Sequence, residues 1–130
     1  MNLAFESLSN QLHERFPQLD DPRYTSLIGN INVDPEPFVL YGVIFNHYLK
    51  EIAGGEESAL KKDAAVFLEE MAASSDSHVT FLLTSELLPT LVQDQSTIDS
   101  FWPFLGPKTR RQISLLPPRF LRKIDIPTSP

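Results

Sequence analysis

Apolar residues recur at intervals of three and four along most of this chain, and prolines and glycines interrupt that pattern repeatedly. In the first segment, Phe5, Leu8, Leu12 and Phe16 form one stripe, which is the spacing of an amphipathic helix. Pro17 ends that segment, because proline cannot continue the hydrogen-bonded ladder of a helix. Clear strand patterns are absent. The sequence therefore predicts an all-α protein, a small single-domain bundle of four to six helices.

A second helix is predicted to begin near residue 35, after a long connection. Asp34 and Pro35 are typical of an N-cap and a first-turn proline, and Glu36 adds a favourable negative charge at the helix N-terminus. The apolar face that follows stops at Gly54 and Gly55. Such a pair predicts a left-handed C-cap.

Two more helices follow this glycine pair. One spans about residues 57–73 and should lie antiparallel to its predecessor, because the connection is short. Residues 74–77 supply a linker and an N-cap for the next helix, in which Pro89 predicts a kink or break. Ser96 and Thr97 then cap one or two further turns.

The C-terminal part is rich in proline, with six of the 11 prolines after residue 100. Gly106 and Pro107 should start a last short helix, and residues 120–126 are candidates for an extended edge segment. We expect residues 1–116 to form the helical domain and residues 117–130 to form a Pro-rich, basic, partly extended tail whose last residues are disordered.

Charge is divided unevenly between the two parts of the chain. Residues 1–107 hold five Lys and Arg against 16 Asp and Glu, a formal charge of −11, whereas residues 108–130 hold six against one, a charge of +5. Such asymmetry bears on partners and association kinetics rather than on fold. Because the acidic body would repel phosphates, we expect a basic protein surface as partner and regard nucleic acid as the less favoured one.

Nothing in the sequence indicates catalysis. His13, His47 and His78 have no second ligand at metal spacing, the chain has no cysteine, and the Gly54-Gly55 pair lacks the residues of a phosphate loop. We therefore expect no enzyme, no catalytic or metal-binding residue and no cofactor. The absence of a signal peptide and of a long apolar run predicts a cytoplasmic protein without a membrane span.

One aromatic run leaves two interpretations open. Trp102-Pro103-Phe104-Leu105 is not periodic and lies between prolines. It is either a buried corner that locks the last helix, which we favour, or an exposed anchor for a partner, since Trp is enriched at interface hot spots.

Over about residues 35–112 the chain resembles a family of small, uncharacterised helical bacterial proteins found beside polymorphic toxins and regarded as candidate immunity proteins. The resemblance rests on the Asp34-Pro35-Glu36-Pro37-Phe38 helix start, on two charged or Leu-rich helices, and on a more distinctive run, Leu105-Gly106-Pro107-Lys108-Thr109-Arg110. It implies a cytoplasmic, cofactor-free protein that neutralises a toxin, and it brings no catalytic motif.

The function expected from these observations is an immunity-type protein that binds a cognate bacterial toxin through an acidic surface. The alternative is a helical adaptor or regulator whose basic C-terminal segment binds nucleic acid or another anionic partner. The sequence does not predict the oligomeric state. The acidic residues expected to steer or contact the partner are Asp20, Asp21, Asp34, Glu36, Glu56, Glu57, Glu69 and Glu70.

Overall fold

The computed structural model describes residues 3–28 and 36–127, and within those residues it contains helices and no strand. The predicted all-α class is confirmed. Ten α-helical segments follow one another within the described ranges: α1 Leu8–Arg15, α2 Pro22–Thr25, α3 Pro37–Val39, α4 Asn46–Ala53, α5 Ser58–Ala72, α6 Ser77–Leu82, α7 Leu88–Leu91, α8 Gln95–Phe101, α9 Pro107–Ser114 and α10 Pro118–Leu121.

Two longer helices each contain a π-helical turn. Leu40–Phe45 joins α3 to α4, and Leu83–Leu87 joins α6 to α7. The second turn lies directly before Pro89, whose ring would clash with a carbonyl one turn earlier in a regular α-helix. The wider backbone of a π turn accommodates that ring, so the helix continues through the residue at which the sequence predicted a kink or break.

Asn46 links the two π turns. Its Nδ2 atom donates to the carbonyl oxygens of Gly42 at 3.0 Å and Glu86 at 2.8 Å. Asn46 is buried, where an unpaired amide donor would be costly. The bond to Gly42 stays within the same helix, whereas the bond to Glu86 joins the second and fourth predicted helices where they cross.

Aromatic rings fill the centre of the core. Phe16, at the end of α1, lies 5.2 Å from Phe45 and 5.6 Å from Phe67 of α5, measured between ring centroids. Tyr41 is fully buried and donates its hydroxyl to the carbonyl oxygen of Leu8 at 2.7 Å. These contacts hold α1, α5 and the helix over residues 37–53 together, as the apolar stripes predicted.

The chain around Trp102 is the buried corner that we favoured. Trp102 is 8% exposed, and the Arg110 guanidinium stacks over its ring at 4.7 Å. The same Arg110 donates to the Trp102 carbonyl oxygen at 2.7 Å. Since Arg110 belongs to α9, the corner locks this helix against the body.

Several predicted helix ends need correction. Gly54 is the C-cap of α4 with φ −81° and Gly55 also lacks a positive φ, so the left-handed cap is wrong. The cap of α8 is Asp94, which accepts from the Thr97 N–H at 2.8 Å, rather than Ser96. Helix α3 starts at Pro37 with Glu36 at the N-cap position.

The described chain has more helical segments than the four to six predicted, because short turns also form where a loose connection or extended chain was expected. Three of them follow α1, namely Pro17–Asp20, α2 and Ser26–Ile28. The expected edge segment over residues 120–126 is wrong at its start, which lies in α10. Near the end of this segment, the backbone of Asp125 forms two hydrogen bonds with the Gln95 side chain rather than with a strand.

The predicted tail packs on the body through Ile124, which is 8% exposed. Its last three residues lie outside the described ranges, as do Asp34 and Pro35. None of the described helices is both long enough and apolar enough to cross a bilayer.

Candidate functional site

A concave surface with polar and apolar lining lies where residues 17–24 meet the end of α4. A groove of about 590 Å³ adjoins a second one of about 450 Å³, and both are lined by Gln18, Arg23 and Tyr24. We call the two together the acidic groove. Its lining residues are Pro17, Gln18, Asp21, Arg23, Tyr24, Tyr48, Glu51, Ile52, Gly55, Glu56, Glu57 and Leu60.

Local sequence fixes the first wall of this groove. Asp21 caps α2, because its Oδ1 atom accepts from the Arg23 N–H at 2.8 Å, and Pro22 occupies the first helical position that suits proline. One turn of helix then directs Tyr24 inward, where it is 3% exposed. This short helix contacts α4 through Tyr24, which meets Tyr48 and Glu51.

A hydrogen-bonded network crosses the floor of the groove. The Tyr24 hydroxyl donates to Glu51 Oε1 at 2.5 Å and accepts from the Arg23 guanidinium. Arg23 also lies 3.5 Å from Glu51 Oε1 and stacks 4.6 Å above the Tyr24 ring. Burial raises the pKa of the Tyr24 phenol, and the hydrogen bond to Glu51 raises it further.

Tyr48 forms the deeper side of the groove. Its hydroxyl accepts from Gln18 Nε2 at 2.8 Å, and its ring centroid is 6.1 Å from that of Tyr24. Burial also raises the pKa of the Tyr48 phenol. Both tyrosines thus remain neutral hydrogen-bonding groups at ordinary pH.

Carboxylates outnumber cations around this groove. Asp21, Glu51, Glu56 and Glu57 line it together with the single guanidinium of Arg23. Among these carboxylates, Glu51 lies within ion-pair distance of the Arg23 guanidinium, whereas Asp21 bonds to the Arg23 backbone N–H. Glu56 and Glu57 are exposed and have no ion pair with any described residue. The groove therefore presents uncompensated negative charge.

The structure brings together only some of the acidic residues singled out from the sequence. Asp21, Glu56 and Glu57 line the groove, and Asp20 lies beside it with its Oδ1 atom 2.6 Å from His13 Nδ1. Glu36 is exposed at the start of α3. Asp34 lies outside the described residues.

The two adjacent glutamates of α5 make contacts within the chain. Glu69 accepts hydrogen bonds from the N–H groups of Lys108 and Thr109 and from the Thr109 hydroxyl, at 2.8–3.1 Å. Glu70 lies 2.6 Å from Arg15. Both carboxylates thus tie neighbouring helices together.

Sequence reasoning missed the five other polar side chains of the groove: Gln18, Arg23, Tyr24, Tyr48 and Glu51. The rings of Tyr24 and Tyr48 pack against each other, which is the usual role of aromatic side chains in a core. Their hydroxyls were the overlooked signal, because a buried Tyr usually needs a polar partner. Nothing in the sequence shows that residues 18–24 lie over Glu51.

The residues present do not form a metal site, since no group of three His, Cys, Asp or Glu suited to a metal ion occurs among the described residues. Comparison with protein-family models, with curated proteins and with solved structures finds no match to this chain. The fold and the groove define a helical protein with a preformed, anionic, tyrosine-lined recess.

Proposed function

We propose that this protein is a non-catalytic binding protein whose acidic groove receives a basic segment of another protein. The observation that carries the proposal is the convergence of Asp21, Glu51, Glu56 and Glu57 on one recess with a single guanidinium. Carboxylates around a concave, partly apolar surface favour Lys or Arg side chains and speed association with a basic partner.

The polar groups of the groove are held in place by hydrogen bonds, and this supports the proposal. The Tyr24 hydroxyl is held between Arg23 and Glu51, and the Tyr48 hydroxyl is held by Gln18. A recess whose polar groups are already oriented loses less conformational freedom when it binds. Two tyrosine rings with polar tips are also suited to contact with a peptide or a long cationic side chain.

The partner we propose is a bacterial toxin that this protein neutralises in the cytoplasm. The charge of the chain and the resemblance to candidate immunity proteins both support that choice. The test is to express the protein encoded by the adjacent gene with and without this chain. We expect growth arrest without it, restored growth with it and a purified complex of the two. The proposal would be contradicted if the protein encoded by the adjacent gene were harmless, or if it were toxic but formed no complex with this chain.

A second candidate function rests on the basic C-terminal part. Lys108, Arg111, Arg119, Arg122 and Lys123 are exposed, and none has an ion pair with a carboxylate of the described chain. Arg119 stacks 4.8 Å above the Phe120 ring, and the charges of all five side chains are available to an anionic partner. The triple variant Arg119→Ala/Arg122→Ala/Lys123→Ala should then abolish binding to a random single-stranded DNA. Absence of binding by the native protein at low salt would remove this candidate.

A further inference from the structure

A row of aromatic side chains lies at the surface away from the lining of the acidic groove. The ring centroid of Phe38 is 5.9 Å from that of Phe5 and 6.0 Å from that of Phe81, and the His78 ring lies 5.6 Å from Phe5. Phe81 is 60% exposed. We call these four residues the aromatic row.

The core does not require Phe81, the most exposed phenylalanine of this row. Helix α6 directs Val79 and Leu82 inward, and both are fully buried. Phe81 lies between them on the outer side, where a polar residue would leave the core unchanged. A large apolar ring held in water at such a position is typical of a binding surface.

The aromatic row is rigidly placed from two directions. The Phe5 N–H donates to Asp76 Oδ2 at 2.8 Å, and the Asp76 Oδ1 atom caps α6 through the His78 N–H. Phe38 lies in the first turn of the helix over residues 37–53, just before the π turn that contacts the π-helical extension of α6. The rings therefore form a prepared surface.

Negative charge accompanies this apolar surface. Gly42 and Glu86 meet where the two helices cross, and Glu86 Oε2 lies 3.2 Å from the position of a Cβ on Gly42. The Glu86 carboxylate has no hydrogen-bond or ion-pair partner among the described residues. Glu6 and Glu36 are exposed beside Phe5 and Phe38 in the chain.

Positive charge is missing from every segment that builds the row. Residues 3–14, 36–49 and 74–107 contain no Lys or Arg. Such a surface repels nucleic acid and anionic lipid, and a second copy of the same surface would bring carboxylates together. Its charge is complementary to a cationic partner.

We infer that the aromatic row is a docking surface for a basic amphipathic helix of another protein. The apolar side of that helix packs on Phe81 and Phe38, while its Lys or Arg side chains stack on the rings and pair with Glu86. This inference rests on the proposed function only in requiring a basic partner, because it uses a different surface from the acidic groove.

The probe for this inference is a short helical peptide of Leu and Lys, with all Leu on one side. NMR titration should move the resonances of Phe5, Phe38, Phe81 and His78. Phe81→Ala should weaken peptide binding by about fivefold or more, the loss expected for an interface residue that contributes measurably to affinity. The matched control is Leu115→Ala, which removes a similarly exposed apolar side chain and should leave the affinity unchanged.

The outcomes separate the two surfaces. The inference is overturned if Phe81→Ala binds the peptide as tightly as the native protein, or if a Leu and Glu peptide binds equally well. It is also overturned if the peptide moves only Tyr24 and Tyr48, a result that would favour the acidic groove alone. Self-association that disappears in Phe81→Ala would identify a second copy as the occupant instead.

Discussion

The carboxylate of Glu69 fills the space beside Gly106 in which any other residue would place its Cβ atom. A Cβ on Gly106 would lie 2.4 Å from the Glu69 Cδ atom and 2.6 Å from its Oε1 atom. From that position Glu69 accepts hydrogen bonds from the first turn of α9. A residue of α5 thereby caps a helix about 40 positions later in the chain, which explains why glycine precedes Pro107.

Substituting Gly106 should therefore destabilise the protein through the cap. In Gly106→Ala the new Cβ expels the Glu69 carboxylate, and loss of a cap costs about 1–2 kcal/mol of unfolding free energy. Urea unfolding would measure the change. Gly54→Ala is the matched control, because its nearest atom would be 3.8 Å away and its φ suits alanine. Equal destabilisation by both variants would contradict this account.

The same cap predicts coupling between two substitutions. Glu69→Ala removes the carboxylate that accepts the hydrogen bonds of this cap. In that background, the Cβ introduced by Gly106→Ala has no carboxylate to displace. The double variant should lose less stability than the two single losses added together, by about 1 kcal/mol, because contacting residues are not additive. A double-mutant cycle in urea measures this coupling. Strict additivity would show that the two residues act independently.

Two aspartates should govern stability in acid. Hydrogen bonds from the N–H groups of Phe5 and His78 lower the pKa of Asp76, and those from the side chain and N–H of Thr97 lower the pKa of Asp94. A carboxyl group whose pKa is lowered in the folded state stabilises the fold at pH values above its ordinary pKa of 3.8. This stabilisation is lost as the pH falls through the lowered pKa.

Unfolding free energy should thus decline below about pH 4, the usual range of free carboxyl groups. The variant Asp76→Asn/Asp94→Asn cannot titrate at either position. Each Asn keeps one acceptor oxygen, so position 76 loses one of the two N–H bonds that Asp76 accepts. The double variant starts from a lower stability, but its decline in acid should be shallower. Asp99→Asn serves as control, because Asp99 caps no helix. A double variant that declines as steeply as the native protein would refute the assignment.

The three tyrosines should govern stability at alkaline pH. Burial raises the pKa of Tyr24, Tyr41 and Tyr48, the three tyrosines of the chain. The fold is therefore fully stabilised below the ordinary tyrosine pKa of about 10 and loses this contribution as pH rises beyond it. In a titration with base, phenolate absorbance should appear at a higher pH in the folded protein than in the protein unfolded in urea. Coincident titrations in the two states would contradict burial of these phenols.

Local patterns predicted the helices well because their signals lie within a few residues. The apolar stripe from Phe5 to Phe16 and the start at Pro107 both appear in the structure. Cap identities were harder, since Asp94 and Ser96 are equally good candidates from sequence. The Glu69 cap could not be foreseen, because its donors are about 40 residues away and only the tertiary fold brings them together.

The candidate site was predicted only in part, for a related reason. Negative charge on Asp21, Glu56 and Glu57 is visible in the sequence, but their convergence depends on the packing of α2 against α4. The role of Tyr24 depends on Glu51, which lies 27 positions away and bonds to its hydroxyl. The spacing of apolar residues predicts which side chains are buried, but it does not predict which polar atoms form hydrogen bonds with one another.

The most direct test of the acidic groove is the association rate with the toxin that we propose as its partner, measured by stopped flow at low and high salt. Glu56→Gln/Glu57→Gln should slow association several-fold at low salt and little at high salt, because electrostatic steering is screened. Glu14→Gln/Asp125→Asn removes the same charge from positions that do not line the groove, and it should retain the native rate. If both double variants associate at the same rate, the groove is not the binding surface.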